Sequence, residues 1–405
     1  MIESLRKAYN ESFSPERYQA FLATIDHDWP GLLDFRVAET PVFVPKILTD
    51  KLLAACDDII NVITRDAFRA LTEPAIPADQ RVPNQPPNDH TQFLAIDFAV
   101  CQDKQAGPSF GELTPQLIEL QGFPSLYGFQ PYVASQFRKQ FPVPETLSHL
   151  FNVADNAEYI EQLRRMIVGD CNPEEVILLE IFPERQKTRI DFALTQQYIG
   201  VAPVCLTKIK KNGRQLFYEK DGRLIRIRRI YNRLIFDDLQ NFPDLETEFR
   251  LTDDVDVAWV GHPNWFFRIS KYALPLLKSP YVPASYFLSD LYEYPADLDN
   301  YVLKPLFSFA GSGVKLHITR ADLDAIPPDQ RNNYLIQRKV TYEPVIQSPD
   351  GLVKCEIRML FIWPTEDKRP TLITNLGRLS RGEMIGVNFN KNKDWVGGSV
   401  CFFEQ

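Results

Sequence analysis

Phe93-Leu94-Ala95-Ile96-Asp97-Phe98-Ala99-Val100 is an apolar run with a single acid inside it. Leu117-Ile118-Glu119-Leu120-Gln121 repeats the arrangement and stops at Gly122-Phe123-Pro124-Ser125. A short apolar run without alternation reads as a strand covered on both faces. Two of them joined by a polar stretch predict an adjacent antiparallel pair. An unpaired charge on such strands costs on the order of several kcal/mol, so the two carboxylates need a reason to be there.

The chain has 405 residues, enough for two or three packed units. Lys+Arg number 45 against 53 Asp+Glu, a net charge of −8, so no global basic field exists to hold a nucleic acid backbone. Met1 to Asn10 lacks the apolar core of a signal peptide, and no run of about 18 apolar residues suggests a membrane span. The six cysteines are scattered without a C-x-x-C pair, and the five histidines form no ligand pattern. A cytoplasmic, reducing setting is expected, with neither structural zinc nor a disulfide framework.

Ser14-Pro15-Glu16-Arg17 reads as a helix start, and the spacing of apolar residues from Ile47 to Phe68 predicts an amphipathic helix. Residues 73–90 hold five prolines and predict an extended linker. Strand (175–182), helix (188–199, stopped by Gly200) and strand (201–206) predict a βαβ unit. A hairpin around Lys220-Asp221-Gly222 and a further strand over 230–236 follow. A short helix over 269–277 carries Lys271, and a strand over 302–306 carries Lys304. Strands are also expected over 314–318, 334–340, 352–363 and 371–376. The expected fold class is mixed α/β, divided as 1–92, 93–172, 173–260 and 261–405.

Lys304 stands just before the small-residue loop Ser308-Phe309-Ala310-Gly311-Ser312-Gly313. A strand lysine supplies a point charge, and small residues let backbone N–H groups approach phosphate oxygens. The order is not that of a P-loop or a dinucleotide fingerprint, and alone it also fits a hairpin turn with a solvated lysine. Glu356 and Arg358 lie two apart on one strand and so share a face. Arg378 and Arg381 follow at Gly377-Arg378-Leu379-Ser380-Arg381. The cluster Arg223, Arg226, Arg228, Arg229 and Arg233 reads as a solvated strand face or as the border of an anionic substrate.

Taken in order, these pieces resemble the circularly permuted branch of the ATP-grasp superfamily, particularly glutathionylspermidine synthetase-like and eukaryotic-type glutathione synthetase-like proteins. They are Ile96-Asp97-Phe98, Gln116-Leu117-Ile118-Glu119-Leu120-Gln121, Arg228-Arg229-Ile230-Tyr231-Asn232-Arg233, Lys271, Lys304-Pro305 with its loop, Ile357-Arg358 and Lys393-Asp394-Trp395-Val396. The similarity runs from about residue 93 to 396.

The resemblance implies an ATP-grasp fold with a helical N-terminal region and antiparallel strands around the nucleotide. Residues 93–172 would then carry the metal and substrate strands, 173–260 the substrate side and 261–405 the nucleotide lobes. Lys271 and Lys304 would hold ATP phosphates, with Ser308, Gly311, Ser312 and Gly313 closing over them. The segment from Gln337 through Arg338 and Lys339 would read the adenine edge. Asp97, Glu119 and Gln121 would hold Mg²⁺, with Gln121 where the family usually has Asn. Core ion pairs to arginine are the other reading of the two acids. Ser125 would touch the acceptor substrate, and Arg358, Arg378 and Arg381 would neutralise the transferring phosphoryl group.

The implied activity is an ATP- and Mg²⁺-dependent ligation of a small-molecule or peptide carboxylate to an amine through an acyl-phosphate. The family arginine expected two residues before the strand acid is here Ala95, and an expected acid is Ser308. These departures motivate the alternative of a catalytically impaired nucleotide-binding protein with a partner or regulatory role.

Overall fold

The computed structural model describes residues 1–103, 112–307, 313–383, 385 and 389–405. Ser308, Gly311 and Ser312, named above as phosphate-binding residues, lie outside the described residues, whereas Gly313 lies within them.

The two apolar runs form strands Phe93–Gln102 and Leu113–Gln121, paired antiparallel with Asp97 opposite Glu119. They are the end of a six-stranded sheet. Beyond Phe93–Gln102 come Gly351–Ile362, Thr371–Ser380 and Gly397–Ser399, all antiparallel, with Pro344–Ser348 pairing on Gly351–Ile362. The alternation along Phe93–Gln102 explains its unbroken apolarity. Leu94, Ile96, Phe98 and Val100 face the largest core, while Phe93 and Ala95 face a second one. Asp97 has the parity of this second face, so an apolar surface becomes charged within one strand.

That largest core is closed by the N-terminal helices. Pro15–Asp28 starts at Ser14, whose side chain accepts the Arg17 N–H. Lys46–Ile63 buries Leu52, Ala55, Cys56, Ile59, Ile60 and Ile63, the amphipathic face expected from the spacing. Between these helices, Val42–Val44 pairs in parallel with Cys401–Phe403.

A four-stranded parallel sheet runs in the order Ala258–Val260, Arg229–Asn232, Val176–Glu180, Ala202–Cys205. Helix Arg189–Ile199 connects the last two as the βαβ reading requires, and Gly200 ends it with a φ of 76°. The hairpin Gln215–Lys220 and Arg223–Ile227 forms its own sheet with Lys210–Asn212. The strand expected over 230–236 is shorter, because the chain turns into the helix Phe236–Gln240.

A third, smaller layer carries Lys304. Tyr301–Pro305 and Ser285–Phe287 flank Tyr334–Arg338, all antiparallel, over a compact core of Leu288, Leu303, Ile318, Leu323 and Ile336. The strand expected over 314–318 does not form. Only Lys315 bridges to Leu303, and Ile318 turns into the small core instead. Among the described residues, no helix is long and apolar enough to cross a membrane.

Candidate functional site

The sheet register assembles the charges. Asp97 has Glu119 opposite it on one side and Arg358 on the other, while Glu356 faces Arg378. Arg358 Nε and Nη2 donate to the two Asp97 carboxylate oxygens at 2.7 and 2.6 Å. Arg378 Nη2 donates to Asp97 Oδ2 at 2.9 Å and also to Glu356, whose other oxygen accepts from the Tyr342 hydroxyl at 2.7 Å. Gln121 Nε2 donates to Glu119 Oε1 at 2.7 Å and to Asp97 Oδ2 at 3.2 Å. Burial alone would lower the Arg378 guanidinium, but Glu356, Asp97 and Glu119 raise it above its ordinary value.

The lysines approach from two further elements. Lys271 opens the turn Lys271–Leu276 and is buried. Lys304 Nζ donates to Gln337 Oε1 at 2.6 Å and to the Ile118 carbonyl at 3.3 Å, tying the small sheet to the Glu119 strand. Burial lowers the Lys304 ammonium to about 8, with Glu119 opposing the shift. Burial also lowers Lys271, against the pull of Glu119 and Asp237. Burial would raise Glu119, yet Arg378, Lys271, Arg358 and Lys304 together hold it below the ordinary carboxylate value. Gln337 is buried, and among the described residues its Nε2 has no hydrogen-bond partner.

This cluster opens on a cavity of about 560 Å³. Glu119, Gln121, Lys271, Arg358 and Arg378 line one end, and Glu180, Arg233 and Asp238 are among its other lining residues, with Ser125 on the wall. Glu180 sits at the C-terminal end of a parallel strand, the edge where open α/β sheets hold ligands. Burial pushes its carboxyl up to about 8 despite the Ile181 N–H and Arg233. Composition and motif spacing gave no sign of Glu180, because an acid closing a strand is commonplace. Of the arginine cluster over 223–233, only Arg233 lines this cavity, and it donates to the Pro124 carbonyl at 2.6 Å. Arg228 and Arg223 pair with Glu175 and Glu174, and Arg229 binds the carbonyls of Met166 and Ile167.

Other expected residues lie elsewhere. Arg381 donates to Ser348 Oγ at 2.8 Å and does not line the cavity. Arg338 is exposed beside Asp297, and Lys339 Nζ donates to the Asp299 carbonyl at 2.6 Å. Gly313 has a φ of 71°, and a Cβ there would lie 2.8 Å from the Pro305 ring, so both its backbone and its close approach to Pro305 favour glycine.

Lys271, Arg358 and Arg378 line the cavity beside the half-buried Glu119, and such a cationic wall fits a polyphosphate, whose oxygens accept from charged donors. The same residues fit magnesium poorly. Its expected ligand Asp97 already accepts from two guanidiniums, and among the described residues no three His, Cys, Asp or Glu are grouped to hold a metal.

No protein-family profile and no curated protein matches the sequence. Among solved structures, a glutathione synthetase-like effector from Globodera pallida, in its apo form, matches with a TM-score of 0.59 at 10% identity, covering 97% of this chain and 98% of that one. Sheets, cores and that likeness together give this chain a mixed α/β fold similar to a glutathione synthetase-like protein.

Proposed function

We propose that the chain is an ATP-dependent carboxylate–amine ligase of the circularly permuted ATP-grasp kind, glutathionylspermidine synthetase-like in its chemistry. The observation that carries this reading is the meeting of Lys271, Arg358 and Arg378 at Glu119 in a cavity also lined by Glu180 and Asp238, with the Lys304 ammonium acting on Glu119 from behind it. The cationic end suits a triphosphate, and the carboxylates suit an amine-bearing acceptor. In the reaction, an oxygen of the substrate carboxylate attacks the γ-phosphorus, and the bond to the ADP oxygen breaks. The amine nitrogen then attacks the acyl carbon, phosphate departs, and the amine loses its proton as the amide forms.

This sequence asks the protein for placement and charge neutralisation and needs no side-chain nucleophile. Arg358 and Arg378 are placed to meet charge that builds on the transferring group, and Lys271 and Lys304 to hold the remaining phosphates. Magnesium, expected for such chemistry, would have Glu119 as the accessible carboxylate at this end. The adenine is proposed to lie near Gln337, whose buried Nε2 lacks a partner among the described residues.

The test is release of ADP by purified protein across a panel of acids and amines. Turnover that requires both an acid and an amine, and that falls by at least ~100-fold in Lys304→Ala, is the expected result. ATP binding with no turnover across the panel favours the second reading, a nucleotide-binding protein with impaired catalysis, which Ala95 and the engaged Asp97 already motivate.

A further inference from the structure

The resemblance gives Asp97 to a metal, and its surroundings do not. The residue is fully buried. Oδ1 accepts from Arg358 Nε, while Oδ2 accepts from Arg358 Nη2, Arg378 Nη2 and Gln121 Nε2. A carboxylate oxygen offers roughly two lone-pair directions, so Oδ2 is fully used. Magnesium needs oxygen ligands at about 2.0–2.1 Å in near-octahedral order, and here N–H donors from two guanidiniums and one amide occupy that shell. Removing the guanidiniums to admit a metal would take from buried Arg358 the acceptor of both its hydrogen bonds and leave Arg378 with Glu356 alone.

The same contacts have a positive purpose. Arg358 and Arg378 come from neighbouring strands, and both line the cavity. Asp97 lies behind them and binds each, which keeps two like charges adjacent that would otherwise repel. We propose that Asp97 is a positioning residue for a metal-independent anion site. It holds Arg358 and Arg378 as a pair that takes phosphate oxygens together with Lys271 and Lys304. A divalent cation then arrives only with the phosphate and meets Glu119. The proposal rests on the nucleotide reading for its natural ligand, and its chemistry requires only a diphosphate group.

Two measurements on the unaltered protein decide it. Calorimetric titration with inorganic pyrophosphate and with ATP, both in EDTA, is expected to show binding. Electron paramagnetic resonance of Mn²⁺ mixed with protein alone is expected to show the signal of the free ion. In Asp97→Asn, with its fold verified by circular dichroism, pyrophosphate affinity in EDTA is expected to fall by roughly tenfold or more. Mn²⁺ bound by protein without phosphate, or pyrophosphate bound only when a metal is present, overturns the proposal. Pyrophosphate binding in EDTA without ATP binding leaves this proposal standing and removes the nucleotide reading. ATP binding only with Mg²⁺ does the reverse. Should Asp97→Asn fail to fold, the two measurements on unaltered protein suffice.

Discussion

Lys304 illustrates how one buried charge carries its own pH test. Its ammonium is lowered from 10.5 to about 8 by burial, and both the Gln337 side chain and the Ile118 carbonyl that accept from it are uncharged. Phosphate binding should therefore weaken as pH rises through about 8, and Lys304→Arg should flatten the profile, since a guanidinium stays charged. Calorimetry with pyrophosphate across that range reads it. For folding the sign is opposite: between about 8 and 10.5 the unfolded chain binds more protons, so this residue makes stability rise with pH. Glu180 behaves in reverse. Its carboxyl is raised from 4.5 to about 8, so the folded chain keeps a proton that the unfolded chain has lost, and stability falls as pH rises across that interval. Glu180→Gln should lessen this fall and melt roughly 2 °C higher than the parent in alkaline buffer, by thermal unfolding. Much of this site was legible residue by residue. One acid in an apolar strand announces a partner, and the Glu356/Arg358 pair announces a shared face. Arg381 was misleading because it resembles Arg378 in the sequence; an odd separation along or just past a strand sends the two apart. Glu180 stayed hidden because only the parallel register directs it to the cavity.

At the scale of elements, the turn after the Glu119 strand fixes Lys271. Gly122 N–H donates to the Ile269 carbonyl at 3.1 Å, and a Cβ on Gly122 would lie 2.8 Å from the Trp265 carbonyl oxygen. Two backbones thus approach where only hydrogen fits. Gly122→Ala should cost about 1–3 kcal/mol, seen as a lower denaturation midpoint, and should weaken pyrophosphate binding by displacing the Lys271 turn. Such proximity cannot be read from a glycine in a turn signal, since the neighbour comes from a distant segment. The strand Phe93–Gln102, covered on both faces, was by contrast plain from its apolar run, and the βαβ unit from its change of period, whereas Leu113–Gln121 is only partly buried at the sheet edge. The segment over 314–318 looked like a strand by composition, yet Ile318 has its place in the small core and only Lys315 meets Leu303. Tertiary packing overrode local propensity there.

Over the whole molecule, the largest core gathers side chains from Tyr9 to Phe403 and wraps the six-stranded sheet from both ends of the sequence. Cys401–Phe403 contributes directly: Phe402 and Phe403 are fully buried, and their strand supports Val42–Val44. Removing residues 397–405 should therefore abolish the cooperative unfolding transition rather than trim a tail, as circular dichroism melting would show. Sequence periodicity could not foresee this pairing, because parallel strands so far apart leave no local mark. Its consequence concerns synthesis. A ribosome releases Val42–Val44 long before the partner strand exists, so the helices around it wait with apolar faces uncovered until Cys401–Phe403 emerges. Closure of the fold is thus tied to a strand about 360 residues downstream, and the nascent protein passes through a prolonged interval in which chaperones, or self-association, compete for the same surface.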